Sequence, residues 1–273
     1  MKKHFLTSVI CGLLMLQTSA QAYRGLYVND LSNLLNNDVY QYEFLKWVEQ
    51  EDINSLSIYD LHKVLDSEIN WKSMGDFIIR CRAEAKVTNI VAVVGGKWTF
   101  TNLIEPYQEQ ATPEARFDAV NMELEWWVGK DHFQAYVEVM EPLIESNLPV
   151  ETYIGWFGKW PKKRSTQSGF LVNHSDIVTV HAYQKRPSFH YVDGRLEALN
   201  DVALKQGKMM NVVLILSMEE RYSGRLSTQM SYNQMYQELL GDHFIKFSNI
   251  KFLGWKVFCY TEAVKYRKLK NDN

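Results

Sequence analysis

Two glutamates, Glu123 and Glu125, stand two residues apart in the segment Phe117-Asp118-Ala119-Val120-Asn121-Met122-Glu123-Leu124-Glu125-Trp126-Trp127. Close carboxyls suit acid–base chemistry, because two of them cannot both ionise cheaply and one then holds its proton near neutral pH. Val120, Met122 and Leu124 alternate with Asn121, Glu123 and Glu125. Successive side chains of a strand point to opposite faces, so this pattern gives one apolar face and one face of an amide and two acids. Acids turned into a barrel or sheet interior are costly unless paired or hydrogen-bonded, which makes a functional reading worth pursuing. An exposed edge strand with one acidic face is the alternative. Trp126 and Trp127 follow where the strand opens into a loop. Aromatic faces pack against the C–H faces of sugar rings while acids hold the hydroxyls, so a carbohydrate is the expected partner.

Other chemistries find little support. The 30 basic and 32 acidic residues leave a net charge of −2, which gives no argument for nucleic acid. The seven histidines are scattered without metal-ligand spacing, and neither a Gly-rich phosphate loop nor a Gly-x-Ser-x-Gly elbow is present. No metal or cofactor is expected. Lys2, Lys3 and His4 precede an apolar run from Phe5 to Leu16, and Thr18-Ser19-Ala20-Gln21-Ala22 closes it. This pattern predicts a secretory signal peptide over residues 1–22, too short to span a bilayer, and a mature chain from Tyr23. The expected product is a secreted or periplasmic monomer, free of the membrane once the signal is cleaved. Cys81 and Cys259 are then the remaining thiols, either bridged or separately buried.

The elements that must position the two acids are legible as alternating runs. Strands are predicted at 25–28, 55–59, 89–94, the acidic segment, 149–155, 176–183, 210–217 and 251–258. Helical spacing appears over 42–51, 71–85, 131–145, 196–205 and 231–240. Pro106 and Pro113 predict a short or broken helix over 102–116, and the helical spacing over 160–175 is poor. No linker divides residues 23–273. Eight strands alternating with helices predict a single-domain (β/α)8 TIM barrel, whose chemistry sits at the C-terminal strand ends. Those ends collect Asp30, Asp60, Gly95-Gly96-Lys97-Trp98, Glu125-Trp126-Trp127, Trp156-Phe157-Gly158-Lys159-Trp160, His181-Ala182-Tyr183-Gln184, Glu219-Glu220 and Trp255.

The order and spacing of these ends resemble the family 18 glycoside hydrolases, the chitinase-like and endo-β-N-acetylglucosaminidase-like enzymes. The fourth-strand motif of that family, Asp-x-x-Asp-x-Asp-x-Glu, aligns with Asp118-x-x-Asn121-x-Glu123-x-Glu125. Its third-strand Ser-x-Gly-Gly aligns with Val93-Val94-Gly95-Gly96, and its sixth-strand Met-x-Tyr-Asp with His181-Ala182-Tyr183-Gln184. The resemblance implies Glu125 as the acid that protonates the glycosidic oxygen. It implies Glu123 as the carboxyl that orients the substrate's N-acetyl group, Tyr183 as a second contact to the acetamido oxygen, and Trp255 as the floor of the sugar site. Asn121 and Gln184 at motif positions, with Trp98, Trp126 and Trp156 from the aromatic strand ends, complete the expected substrate-binding set. The acetamido carbonyl of the substrate is the nucleophile in that family, an exception to the two-carboxylate rule. Asn121, Glu123 and Gln184 replace three aspartates of the family pattern.

Three functions follow. The leading one is hydrolysis of an N-acetylglucosamine-containing oligosaccharide or polysaccharide by substrate-assisted, retaining chemistry. The second is a chitinase-like barrel that grips glycans without cutting them, which the substituted motif favours and retention of Glu125 opposes. The third is a two-carboxylate retaining glycosidase using Glu125 and Glu219. Leu124 stands where that class has Asn before its acid.

Overall fold

The computed structural model describes residues 22–128 and 132–271. The signal-peptide expectation falls on residues outside these, apart from Ala22. Eight parallel strands close into a barrel in sequence order: β1 (Tyr23–Val28), β2 (Ser55–Ile58), β3 (Asn89–Val94), β4 (Ala119–Met122), β5 (Val150–Ile154), β6 (Ile177–His181), β7 (Met210–Ser217) and β8 (Ile250–Phe258). The expected TIM barrel is the observed fold.

Alternation divides each strand between two environments. Leu26, Val28, Leu56, Ile58, Val120, Met122, Leu214 and Val257 belong to the large core between strands and helices. The opposite face fills the barrel with Tyr27, Val93, Tyr153 and Ile215, against which Tyr59, Trp127, Tyr183 and Phe258 pack. Both faces are thus buried, as a parallel barrel requires, and each strand reads as apolar on its outer side.

One irregularity decides which residues face inward on β8. Val212 pairs with Phe252, but Val213 pairs with Gly254, so Leu253 is an extra residue bulged out of register. A one-residue insertion reverses the phase of everything beyond it. Lys256 therefore lies beside Gly25 and Ile215 on the inner face, while Trp255 turns outward.

The helices follow local signals. Ser231 and Gln234 form a capping box that opens the helix Tyr232–Leu240. The segment over 102–116 breaks as its prolines predict, into a π-helical turn (Phe100–Ile104), a short helix (Glu105–Gln110) and a 3-10 turn (Pro113–Ala115). The poorly patterned stretch after Trp160 is in fact the regular helix Pro161–His174. Pro161 occupies its first turn, where no N–H is required. Its buried face carries Gln167 and Ser168 beside Leu171 and Val172, so polar residues hide the apolar period. Cys81 and Cys259 are separate, buried thiols.

Candidate active site

The barrel interior contains two polar groups stacked along its axis. At the floor, the Lys256 ammonium pairs with Glu151, and both side chains are buried, at 0% and 1% exposure. Gly25 makes this possible, because a Cβ there would sit 2.4 Å from Lys256 Cγ. The lysine also donates to Ser57 Oγ at 2.8 Å. Tyr23 donates to Glu151 Oε1 at 2.8 Å, and Asn121 donates to Glu151 Oε2 at 3.3 Å. Ser55 and Asn89 extend the chain of bonds from Tyr23. Every charge here has an opposite charge and further hydrogen bonds, the condition for burying an ion pair.

The mouth is different. Met122 ends β4, but the Glu123 amide still donates to the Val94 carbonyl at 2.9 Å, so Glu123 keeps strand geometry and points inward. The residue retains some solvent contact while its carboxyl lies deep among protein atoms. Burial pushes this carboxyl up to about 8, with Glu125 and Glu151 adding to the rise. The nearby Tyr27 hydroxyl and Lys256 oppose it without cancelling it. Glu123 is thus the partner of the pair that holds its proton at neutral pH. The Tyr27 hydroxyl faces the Glu123 carboxyl, and the buried Asn121 Oδ1 atom one step below has no hydrogen-bond partner among the described residues.

Beyond Glu123 the chain leaves the sheet. Trp126 N–H donates to the Leu124 carbonyl and Val128 N–H to that of Glu125, closing a tight turn. Glu125 is consequently exposed at the rim, yet it remains within electrostatic reach of Glu123 and Tyr153. Tyr153 contacts the Tyr183 hydroxyl, and burial holds both phenols well above their ordinary range. Tyr183 stacks on Phe258 at 5.8 Å and lies 4.5 Å from the His181 ring. Burial, with Arg195 nearby, lowers His181 to about 3, so its imidazole is neutral. Its ring nitrogen Nε2 pairs with the Tyr191 hydroxyl at 2.9 Å, and Nδ1 has no partner among the described residues.

The residues expected from sequence distribute as follows. Glu123, Glu125 and Tyr183 share the mouth. Asn121 belongs to the floor network instead, through Glu151. Gln184 follows β6, where its carbonyl accepts from Ser223. Trp98 is exposed on the short helix after β3. Trp156 is at the rim and half-exposed. Trp126 is buried beneath it all, packed on Tyr136 and Phe133. Trp255 does not form the floor of the mouth. It lies in the outer core, its indole N–H donating to Asn233 at 2.8 Å and its ring against Tyr232. The β8 bulge is the reason: were Leu253 paired in register with Val213, Trp255 would fall opposite Ile215 and face inward. Tyr27, Tyr153, Glu151 and Lys256 were missed as interior polar residues. Their signal was present in the alternations Tyr23-x-Gly25-x-Tyr27 and Glu151-x-Tyr153, but the lysine required knowledge of the bulge.

No protein-family model matches this sequence, and no curated protein sequence does. Solved structures with the same architecture include a ruminal GH26 endo-β-1,4-mannanase at TM-score 0.55 and 11% identity, covering 93% of this chain. This chain spans 62% of that mannanase. The N-terminal domain of a putative aldolase from Bacteroides vulgatus superposes at TM-score 0.50 and 8% identity, over 92% of this chain and 81% of that domain. The chitinase ICChI from Ipomoea carnea gives TM-score 0.48 and 12% identity, over 92% of this chain and 100% of that one. Such likeness shows the barrel. Glycosidase and aldolase alike stand on it, so the reaction must be argued from the site.

Proposed function

We propose that this protein is an exported glycoside hydrolase that cleaves N-acetylglucosamine-containing glycans with help from the substrate's own acetamido group. The observation that carries the proposal is the Glu123–Glu125 pair: a carboxyl held protonated at neutral pH beside a solvent-reaching one, at an aromatic mouth. Both acids come from one strand end and approach a sugar from one side. A conventional retaining pair must flank the scissile bond at about 5–5.5 Å, with acid and nucleophile on opposite faces. Neighbours on one strand suit a reaction whose nucleophile belongs to the substrate.

In this reading the proton held on Glu123 passes to Glu125, which delivers it to the glycosidic oxygen as the C1–O bond breaks. The acetamido carbonyl oxygen attacks C1, and Glu123 holds the acetamido N–H in position. Water then attacks C1, the bond from C1 to the acetamido oxygen breaks to restore the acetamide, and the proton released by the water returns to Glu125. Tyr183 and Tyr153 stand where the acetamido oxygen would find hydroxyl donors. The mouth's aromatic lining supports a sugar ligand over a phosphorylated one, for which a cluster of cations would be needed.

The test is incubation of the purified protein with N-acetylglucosamine oligomers and high-mannose glycopeptides, followed by analysis of the released sugars. Release of shortened oligomers with retained anomeric configuration is the expected result. Tight binding of every glycan with no product would leave a binding protein instead.

A further inference from the structure

A second concavity adjoins the mouth. It is a cleft of about 430 Å³ at the end of β5, lined by Trp127, Trp156, Trp160, Lys159, Lys163 and Gln167. Trp127 is the shared wall. Its ring lies 5.4 Å from that of Tyr153, which faces Glu123 and Glu125. A glycan held at the carboxyl pair can therefore continue into the cleft along one aromatic surface.

The cleft is built. A Cβ on Gly155 would sit 2.6 Å from the Trp127 indole, so only glycine lets that ring lie flat on the end of β5. A Cβ on Gly158 would sit 2.6 Å from the Lys163 Cδ atom, so the lysine stem also rests on bare backbone. Gly158 N–H donates to the buried Gln167 side chain at 2.7 Å, which ties the loop to the helix Pro161–His174. Trp156 is braced from behind. The Arg195 guanidinium lies 4.7 Å from its ring centroid and is anchored by the carbonyls of Gly155 and His181, at 2.8 and 2.7 Å. Even so, 44% of Trp156 and 76% of Trp160 remain exposed. Exposed indoles are apolar surface kept open to a ligand, and those of Trp127 and Trp156 are held in place. The charged groups among them are lysines, and Lys159 has no acidic partner among the described residues.

We propose that this cleft is a subsite for an anionic sugar ring, a uronic acid or a sulfated sugar, next to the N-acetylglucosamine bound at the carboxyl pair. The indoles stack on the ring, and Lys159 meets its carboxylate or sulfate. The inference rests on the proposed hydrolase only for the identity of the neighbouring sugar; binding in the cleft is measurable without turnover.

The probes are hyaluronan oligomers, which alternate N-acetylglucosamine with a uronic acid, chondroitin sulfate oligomers, and neutral chitin oligomers of equal length. Quenching of tryptophan fluorescence reads the affinity. Hyaluronan and chondroitin sulfate should bind at least about tenfold more tightly than chitin at low salt, since charge-assisted hydrogen bonds are the stronger kind. The preference should shrink as salt rises. If hyaluronan and chondroitin sulfate share one preference, the carboxylate they have in common is what the cleft reads; if chondroitin sulfate gains further, the sulfate is. Lys159→Ala should abolish the preference for acidic over neutral oligomers, whereas Trp160→Ala should weaken all three. Equal binding of acidic and neutral oligomers, or a Lys159→Ala variant with its preference intact, overturns the subsite. Loss of all binding in wild-type protein overturns it too, while cleavage of a small aryl N-acetylglucosaminide would still report on the hydrolase.

Discussion

The floor and the mouth of this barrel both bury glutamates, and they treat them in opposite ways. Glu151 at the floor meets a lysine, a tyrosine and an amide. Glu123, one layer up, meets a phenol and another acid, and is pushed up to about 8. The same residue type thus serves as half of an ion pair in one layer and as a stored proton in the next. Lys256 is the link, since its charge reaches both carboxyls and lowers Glu123 from below. The difference teaches that burial alone does not mark a site. A buried acid whose partners are all supplied is architecture, while one left short of a cation is poised for proton transfer.

The comparison predicts that the mouth governs turnover and the floor governs folding. The largest effect should come from Glu125→Gln, which keeps the shape and loses the transferable proton. Hydrolysis should fall by about 10²–10⁴-fold, the usual contribution of a general acid. The unfolding midpoint should barely move, because the residue is exposed. Single-turnover rates and a thermal melt on the same sample check both halves, and near wild-type turnover would remove Glu125 from the mechanism.

Lys256→Met tests the floor. It leaves Glu151 buried without its cation, a change that costs about 3–5 kcal/mol in comparable cases. Denaturant unfolding should show that loss, and adding Glu151→Gln should recover part of it. A single variant as stable as wild type would mean that water or relaxation compensates the carboxylate.

Glu123 supplies the next, through pH. Its ordinary value is 4.5 and its folded value about 8, so the folded state binds more protons between those limits. Stability from this group is therefore complete below about pH 4.5 and declines as pH rises toward about 8, by at most about 1.4 kcal/mol per pH unit. Glu123→Gln should flatten this part of the stability profile. Identical profiles in the two proteins would place the Glu123 carboxyl in water.

Much of this was legible in the sequence, and the exceptions share a cause. The barrel, its eight strands and the pairing of Glu123 with Glu125 follow from alternation and spacing, which are local. Trp255 faces outward and Lys256 inward because the bulged residue Leu253 sets the phase of β8, and no local pattern announces the bulge. The helix after Trp160 was obscured because its buried face is part polar, with Gln167 serving the Gly158 loop rather than the core. Which acid keeps the proton was equally hidden. It depends on where β4 ends: Glu123 is still held by Val94, and Glu125 is already in the turn.

Glu219 sharpens the contrast within the mouth itself. A two-carboxylate mechanism would make it the nucleophile facing Glu125. It lies close enough to Tyr183 to act on that phenol electrostatically, so it borders the same space. Both of its oxygens are engaged, however. Ser217 Oγ bonds Oε2 at 3.0 Å, and the Arg221 guanidinium bonds Oε1 at 3.1 Å. An oxygen that shares its lone pairs with a guanidinium is a poorer nucleophile than a free one. The substrate-assisted reading therefore gives Glu219→Gln the smallest effect of the set, less than about tenfold in kcat/KM, or roughly 1.4 kcal/mol. It also requires that a sugar without the 2-acetamido group, such as an aryl glucoside, fail to turn over, because that substrate brings no nucleophile. Measuring both substrates on both proteins decides the matter. Abolished cleavage in Glu219→Gln, together with good hydrolysis of the glucoside, would transfer the nucleophile from the substrate to the protein and leave Glu123 as a proton store for Glu125.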